Sequence, residues 1–275
     1  MSNWNGTAYH LTEDDVESAL RTIISTDLVH TRTEYLARLA LETEVEVSGS
    51  LSVNAGAGRL SDEAVKAQIP DDPEKAKLFI PKKYIVMVNQ GMLDWLDGVA
   101  VVGATLERTG SVRKARSMFK WMRKAATCGC VGSDLLLRMW KKFRLENDSV
   151  QEEISRVYAK IMLTETLAHE CGHVCLGHAP RPGQDAHMSI SRNDERQADA
   201  FASSVIQSSC MGAQGAVCAA LSQIGLMWAH RVPDDDLRFS SHPMNMERLH
   251  QYLEDFGAML TVTHVKRNQL LELVP

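Results

Sequence analysis

Two histidines four residues apart, His169 and His173, stand in the run LTETLAHECGHVCLGH at 163–178, whose composition is otherwise that of a buried helix. On a helix, positions i and i+4 project from one face, so both imidazoles can grip a single metal ion. Glu170 lies between them on the adjoining flank, where a carboxylate reaches a water at the metal without becoming a ligand. The chemistry such a set can perform is zinc-assisted hydrolysis. A helix that merely happens to carry two histidines is the plain alternative, because the pattern His-Glu-x-x-His fixes only three positions.

A catalytic zinc takes three protein ligands and keeps one position open. NDERQADAF at 193–201 offers Glu195 as the third ligand and, one helical turn on, Asp199. Asp199 can accept the far N–H of a ligand histidine and so fix its tautomer. An exposed charged turn is the competing reading, weakened because Asp199 begins an apolar run, where a carboxylate without a partner is unfavourable. Gly172 and Gly177 interrupt or end the motif helix, at about 1 kcal/mol each relative to alanine in a helix interior. Such residues make sense where another backbone comes close, and Ala198, Ala200 and Ala202 would let a second helix do so. SHPMNMERL at 241–249 adds His242 and Arg248 as candidate donors to the oxyanion of a tetrahedral intermediate.

These side chains need elements to position them. TEDDVESALRTIIST at 12–26 has an acidic first turn and one apolar face, and 31–42 continues as a second helix. ETEVEVSGSLSVNAG at 42–56 alternates as a strand or a hairpin around Ser48-Gly49. KYIVMVNQ at 83–90 reads as a strand followed by one or two helical turns, and 99–160 as largely helical with breaks near Gly110 and at 127–134. The helix from 150 runs into the metal motif, a further helix starts near Asn193-Asp194, and the last spans about 243–259. The fold class expected is α+β, mostly helical, with a small antiparallel sheet. Three parts are expected: 1–97 with helices and sheet, a helical insert at 98–162, and a metal-binding part at 163–275, packed as one compact domain.

The balance of 30 Lys+Arg against 35 Asp+Glu, net −5, shows no global bias toward nucleic acid or anionic membranes. A basic stretch from Val112 to Arg144 is the local exception and reads as a solvated helix face; salt-dependent retention on DNA would mark it as a nucleic-acid site instead. The opening MSNWNGTAYHLTEDD has neither the basic nor the apolar region of a secretory signal, and the six cysteines form no staple framework, so a cytoplasmic home is expected. Cys171 and Cys175 read as buried small hydrophobes, a reactive Cys171 thiolate being the alternative. Residues 200–229 carry a single charge-free run, but Gln214, Ser222, Gln223 and several glycines make 212–229 a buried core helix rather than a membrane span.

Taken together, HECGH, ERQAD and SHPMNMERL resemble the gluzincin metallopeptidases of the HtpX and CAAX prenyl endopeptidase family. A weaker likeness extends to VNAGAGRL at 53–60 and YIVMVNQGMLDWL at 84–96. The resemblance implies a zincin-like fold, one Zn2+ per chain held by His169, His173 and Glu195, and Glu170 as general base. It further implies Asp199 as support for a ligand histidine, with His242 or Arg248 assisting the transition state, and the strand at 84–89 as the edge on which an extended peptide substrate is added. The sequence departs from the family in lacking evident membrane helices and in its insert at 98–162, a candidate lid or recognition module. The expected activity is zinc-dependent endoproteolysis of a restricted set of proteins. Alternatives are a non-catalytic zincin-fold binding module, or a stress or phage-defence effector protease with one target, such as the Lit-type peptidases.

Overall fold

A computed structural model describes residues 10–26, 33–127, 133–145, 148–180, 190–209, 211–229 and 246–275. Its axis is the helix that carries the histidine motif, Ser149–Leu176, with 28 residues and a length of about 42 Å. Asp148 caps its N-terminus by accepting from the Gln151 N–H at 3.0 Å and also pairs with Arg108. At the other end Gly177 takes φ +79°, a left-handed conformation that suits glycine, and the helix stops. Every residue from Ile161 to Cys175 is buried. A helix can be surrounded in this way only when other elements cover all its faces.

Numbered along the chain, those elements begin with α1 (Glu13–Ser25) and α2 (Thr33–Glu42). Then come β1 (Thr43–Ser48), β2 (Ala55–Arg59), the short helices α3 (Asp62–Ala67) and α4 (Pro73–Leu78), and β3 (Tyr84–Asn89). β3 leads directly into α5 (Gln90–Thr109), followed by α6 (Val112–Thr127), α7 (Ser133–Phe143) and the motif helix, α8. The chain continues with α9 (Arg192–Ser208), α10 (Gly212–Ala229), α11 (Met246–Asp255), α12 (Gly257–Thr261) and α13 (Arg267–Glu272). α8 packs against α1, α2, α5, α9, α10 and β2, while α6 and α7 lie against α5. The expected α+β, mostly helical class is what the structure shows.

Two expectations about the sheet are corrected. It is mixed, not antiparallel: β1 runs parallel to β3 and β2 antiparallel to it, in the order β1-β3-β2. The strand at 84–89 is therefore the centre of the sheet and not an edge, and no hairpin joins β1 to β2. The physical reason lies in burial. Val86 and Val88 stand at 0% exposure, and their neighbours Val45, Val47, Ala55 and Ala57 on both sides complete one apolar layer against the helices. Glu44, Glu46 and Met87 occupy the outer face.

The helix after β3 is 20 residues long rather than one or two turns. It is buried from Gly91 to Leu106, and its Trp95 donates to the Gly225 carbonyl of α10 at 3.0 Å. α10 itself is the charge-free run, packed inside the protein. Among the described residues no helix is long and apolar enough to cross a membrane. α5 runs continuously through residues 97 and 98, and α8 through residues 162 and 163.

Candidate metal centre

α9 lies across α8 at the histidine motif, and the sequence makes the crossing close. A Cβ on residue 172 would stand 3.1 Å from the Ala198 Cα and 3.2 Å from the Phe201 Cβ, so glycine on α8 and alanine on α9 let the two backbones approach. Ser191 and Asp194 start α9 with a reciprocal capping box, which fixes the first turn, where Glu195 stands. From α2, the Arg38 guanidinium donates to the Val174 and Cys175 carbonyls at 3.4 and 3.2 Å. It satisfies groups that the end of α8 leaves open and places positive charge at the negative end of its dipole.

Ligand-type atoms of three residues converge at this crossing. His169 Nε2 is 3.2 Å from His173 Nε2 and 3.3 Å from Glu195 Oε2, and His173 Nε2 is 3.6 Å from Glu195 Oε1. All three residues are buried, and together they can hold a metal ion. A tetrahedral ion with bonds of about 2.0–2.1 Å spaces its ligand atoms about 3.3–3.4 Å apart, close to the spacing of the two histidine nitrogens. Glu170 is on the same stretch of α8, 3% exposed.

Behind His169 stands Asp199, whose Oδ1 is 2.9 Å from Nδ1. Arg248, on α11, grips the same carboxylate with two hydrogen bonds, Nε to Oδ2 at 2.7 Å and a terminal nitrogen to Oδ1 at 2.5 Å. Its other terminal nitrogen is 3.5 Å from Glu195 Oε2. Burial alone would raise the Asp199 pKa, but the Arg248 charge and the His169 hydrogen bond outweigh it and hold the carboxyl at about 2. An ionised Asp199 accepts only, so His169 donates from Nδ1 and directs Nε2 toward His173 and Glu195, where a metal ion would take the place of the Nε2 proton. Burial pushes His169 down, yet the hydrogen bonds to Asp199 and Glu195 raise it to about 10.

The structure therefore brings together His169, Glu170, His173, Glu195, Asp199 and Arg248. Arg248 reaches Asp199 and Glu195, the two carboxylates. His242 lies outside the described residues. His178 is on the rim, 3.5 Å from Asp194 Oδ1. Burial pushes the Cys171 thiol well up and that of Cys175 to about 12, as expected of small buried hydrophobes.

Sequence reasoning missed four members of the surrounding network. Glu165, one turn before His169, is 1% exposed and accepts from Ser222 Oγ at 2.8 Å and from Gln223 Nε2 at 3.1 Å. It also accepts from the Tyr252 hydroxyl at 2.7 Å. Burial raises its pKa, while the Tyr252 and Ser222 hydrogen bonds work against that. The available signal was position: Glu165 precedes His169 by four residues and Tyr252 follows Arg248 by four, each pair on one helix face.

No curated protein and no solved structure matches the chain. The peptidase U49 family profile does, over residues 100–264, more than half of the chain. That stretch begins in α5 and ends beyond α12, enclosing every residue of the cluster, and it follows that the chain belongs to the peptidase U49 family.

Proposed function

We propose that the chain is a zinc-dependent endopeptidase that cleaves a restricted set of proteins in the cytoplasm. The observation that carries this reading is the convergence of His169 Nε2, His173 Nε2 and the two Glu195 carboxylate oxygens at 3.2–3.6 Å, within the matched stretch of a peptidase family. A bound zinc would supply Lewis acidity toward a scissile carbonyl and a lowered pKa for water. Glu170, the acid placed between the two histidines and kept out of bulk solvent, takes the proton of the attacking water and passes it to the leaving amine. Asp199 holds His169 in the tautomer that leaves Nε2 for the metal, and Arg248 balances the charge of Asp199 and Glu195.

The substrate is a protein in extended conformation. The sheet has two edges, β1 and β2, and the one beside the end of α8 is β2. The bonds from Leu60 N–H to the Lys83 carbonyl and from Asn89 N–H to the Asn54 carbonyl turn the even-numbered residues of β2 toward β3. Arg59 N–H points the other way, to the Pro180 carbonyl just past α8. Ala57, half-buried, thus directs its main-chain groups outward, on the side where α8 ends, and an added strand would pair there. Helices α5 and α8, continuous through residues 97/98 and 162/163, support one compact domain in which 98–162 is part of the framework. The free thiols of Cys171 and Cys218 suit a reducing compartment. The likeness of HECGH and ERQAD to HtpX-type gluzincins supports the zinc assignment.

The test is zinc content by elemental analysis together with cleavage of an unfolded protein, read as new N-termini by mass spectrometry. About one zinc is expected in wild type and in Glu170→Gln, none in Glu195→Ala, and cleavage in wild type alone. A wild type that neither contains nor takes up zinc overturns the reading.

A further inference from the structure

The hydrogen bonds behind His169 close into a ring. Glu165 on α8 accepts from Tyr252 on α11 at 2.7 Å, and the same hydroxyl is 3.4 Å from Asp199 Oδ1 on α9. Asp199 Oδ1 in turn is 2.9 Å from His169 Nδ1, back on α8 one turn from Glu165. Four side chains on three helices thus return to the helix from which they start.

Glu165 is an unusual residue to find there. It is 1% exposed, and its three hydrogen-bond donors, Tyr252, Ser222 and Gln223, are all neutral. A buried carboxyl hydrogen-bonded only to neutral donors is less stable than a well-packed apolar side chain of similar size. Packing of α8 against α10 therefore gives no reason for an acid at this position. The geometry around Asp199 gives one. A phenol has a single proton, and Tyr252 has two acceptors within reach. With Glu165 present, the shorter bond takes that proton. Without it, the hydroxyl would turn to Asp199 Oδ1, which already accepts from His169 Nδ1 and from Arg248, and a third donor would compete with the His169 N–H for it.

We propose that Glu165 is a positioning residue for His169: by holding the Tyr252 proton, it keeps Asp199 Oδ1 as the acceptor that orients the His169 ring toward His173 and Glu195. The inference rests on the zinc reading, because its consequence is metal affinity. It predicts a dependence between two residues that touch neither metal nor substrate.

Zinc affinity would be measured by competition with a chromophoric chelator on the full chain, alongside urea unfolding of the same metal-free preparations. Glu165→Leu is expected to weaken zinc binding about tenfold, the lower end of what loss of support to a ligand histidine brings, without loss of unfolding free energy. Glu165→Gln, which can still accept from Tyr252, stays within about twofold of wild type. The decisive variant is the double one. Adding Tyr252→Phe to Glu165→Leu deletes the misdirected proton and recovers most of the affinity, whereas two structural losses would add. Glu165→Met takes the place of the leucine variant if the latter does not fold. Wild-type affinity in Glu165→Leu, or a double variant weaker than either single one, overturns the proposal while leaving the zinc reading intact. A wild type whose zinc affinity does not fall in His173→Ala overturns both.

Discussion

Gly172 on α8 and Ala198 on α9 are so close that a Cβ on residue 172 would lie 3.1 Å from the Ala198 Cα. The contact sets the distance from which Glu195, one turn before Ala198, reaches the two histidines. Gly172→Val adds three carbons and a stiff branch at this point. Overpacking of this kind is expected to cost about 1–3 kcal/mol, seen as a lower urea midpoint, and to weaken zinc binding by separating Glu195 from His169 and His173. Unchanged zinc affinity in a destabilised Gly172→Val protein would show that the crossing does not set the ligand distances.

Arg248 gives a cleaner separation of roles. In the metal-free protein, Arg248→Met leaves two buried carboxylates, Asp199 and Glu195, with His169 alone to balance them. Breaking a buried pair in this way costs about 3–5 kcal/mol, so the variant is expected to be strongly destabilised in chemical unfolding. A residue that only donated to a transition state would lose activity and keep its stability. That pattern would return Arg248 to the oxyanion role the sequence suggested.

Asp199→Ala removes the acceptor that fixes the His169 tautomer. Zinc affinity, read by chelator competition, is expected to fall 10- to 100-fold, with Arg248 left without its main partner. An affinity within a factor of two of wild type would detach Asp199 from the metal site.

How much of this was legible beforehand follows from the range of each interaction. His169 and His173, like Glu195 and Asp199, are joined by helical periodicity alone, and periodicity is local. Glu165 and Tyr252 are 87 residues apart, and Ser222 and Gln223 read only as polar interruptions of an apolar run. Nothing in a helix of that composition says which buried acid its hydroxyl and amide will meet. The strand at 84–89 failed as an edge for a related reason. Alternation identifies a strand, but its place in the sheet depends on which other strands reach it, and YIVMVN, apolar through most of its length, fits a paired centre better than an edge.

The N-terminal part of the chain supplies the pH dependence. Leu11 N–H donates to Asp97 Oδ2 at 3.0 Å, and His10 Nδ1 lies 3.6 Å from the same oxygen. Asp97 is 3% exposed, and burial pushes its pKa up to about 6 against the opposing hydrogen bonds of His10 and Leu11. The folded chain then holds this proton more tightly than the unfolded chain, so the contribution to stability is complete below about pH 4 and is lost as pH rises through about 6. Asp97→Asn keeps an acceptor for Leu11 but no longer titrates. Its stability should fall less than that of wild type between pH 5 and 7.5, by about 1.4 kcal/mol. Parallel profiles would remove Asp97 from the account.

The open side of β2 is tested with proline. Ala57 N–H points away from β3, so Ala57→Pro should leave the sheet paired while denying a substrate strand its bond. KM for a protein substrate is expected to rise with little change in the unfolding midpoint. An unaltered KM would place the substrate elsewhere.

The 28 residues of α8 also constrain how this chain can be cut and recombined. Its first half is wedged among α1 and α5 and its second half carries the histidines, yet no hinge or break divides the rod. A fragment beginning at the motif would start in mid-helix with its supporting neighbours gone. Interchangeable blocks in a gene meet where the backbone can be opened without exposing a core. For this helix such junctions lie at its ends, beside Asp148 and Gly177, so the histidine motif and the length of helix that precedes it are expected to be inherited as a unit.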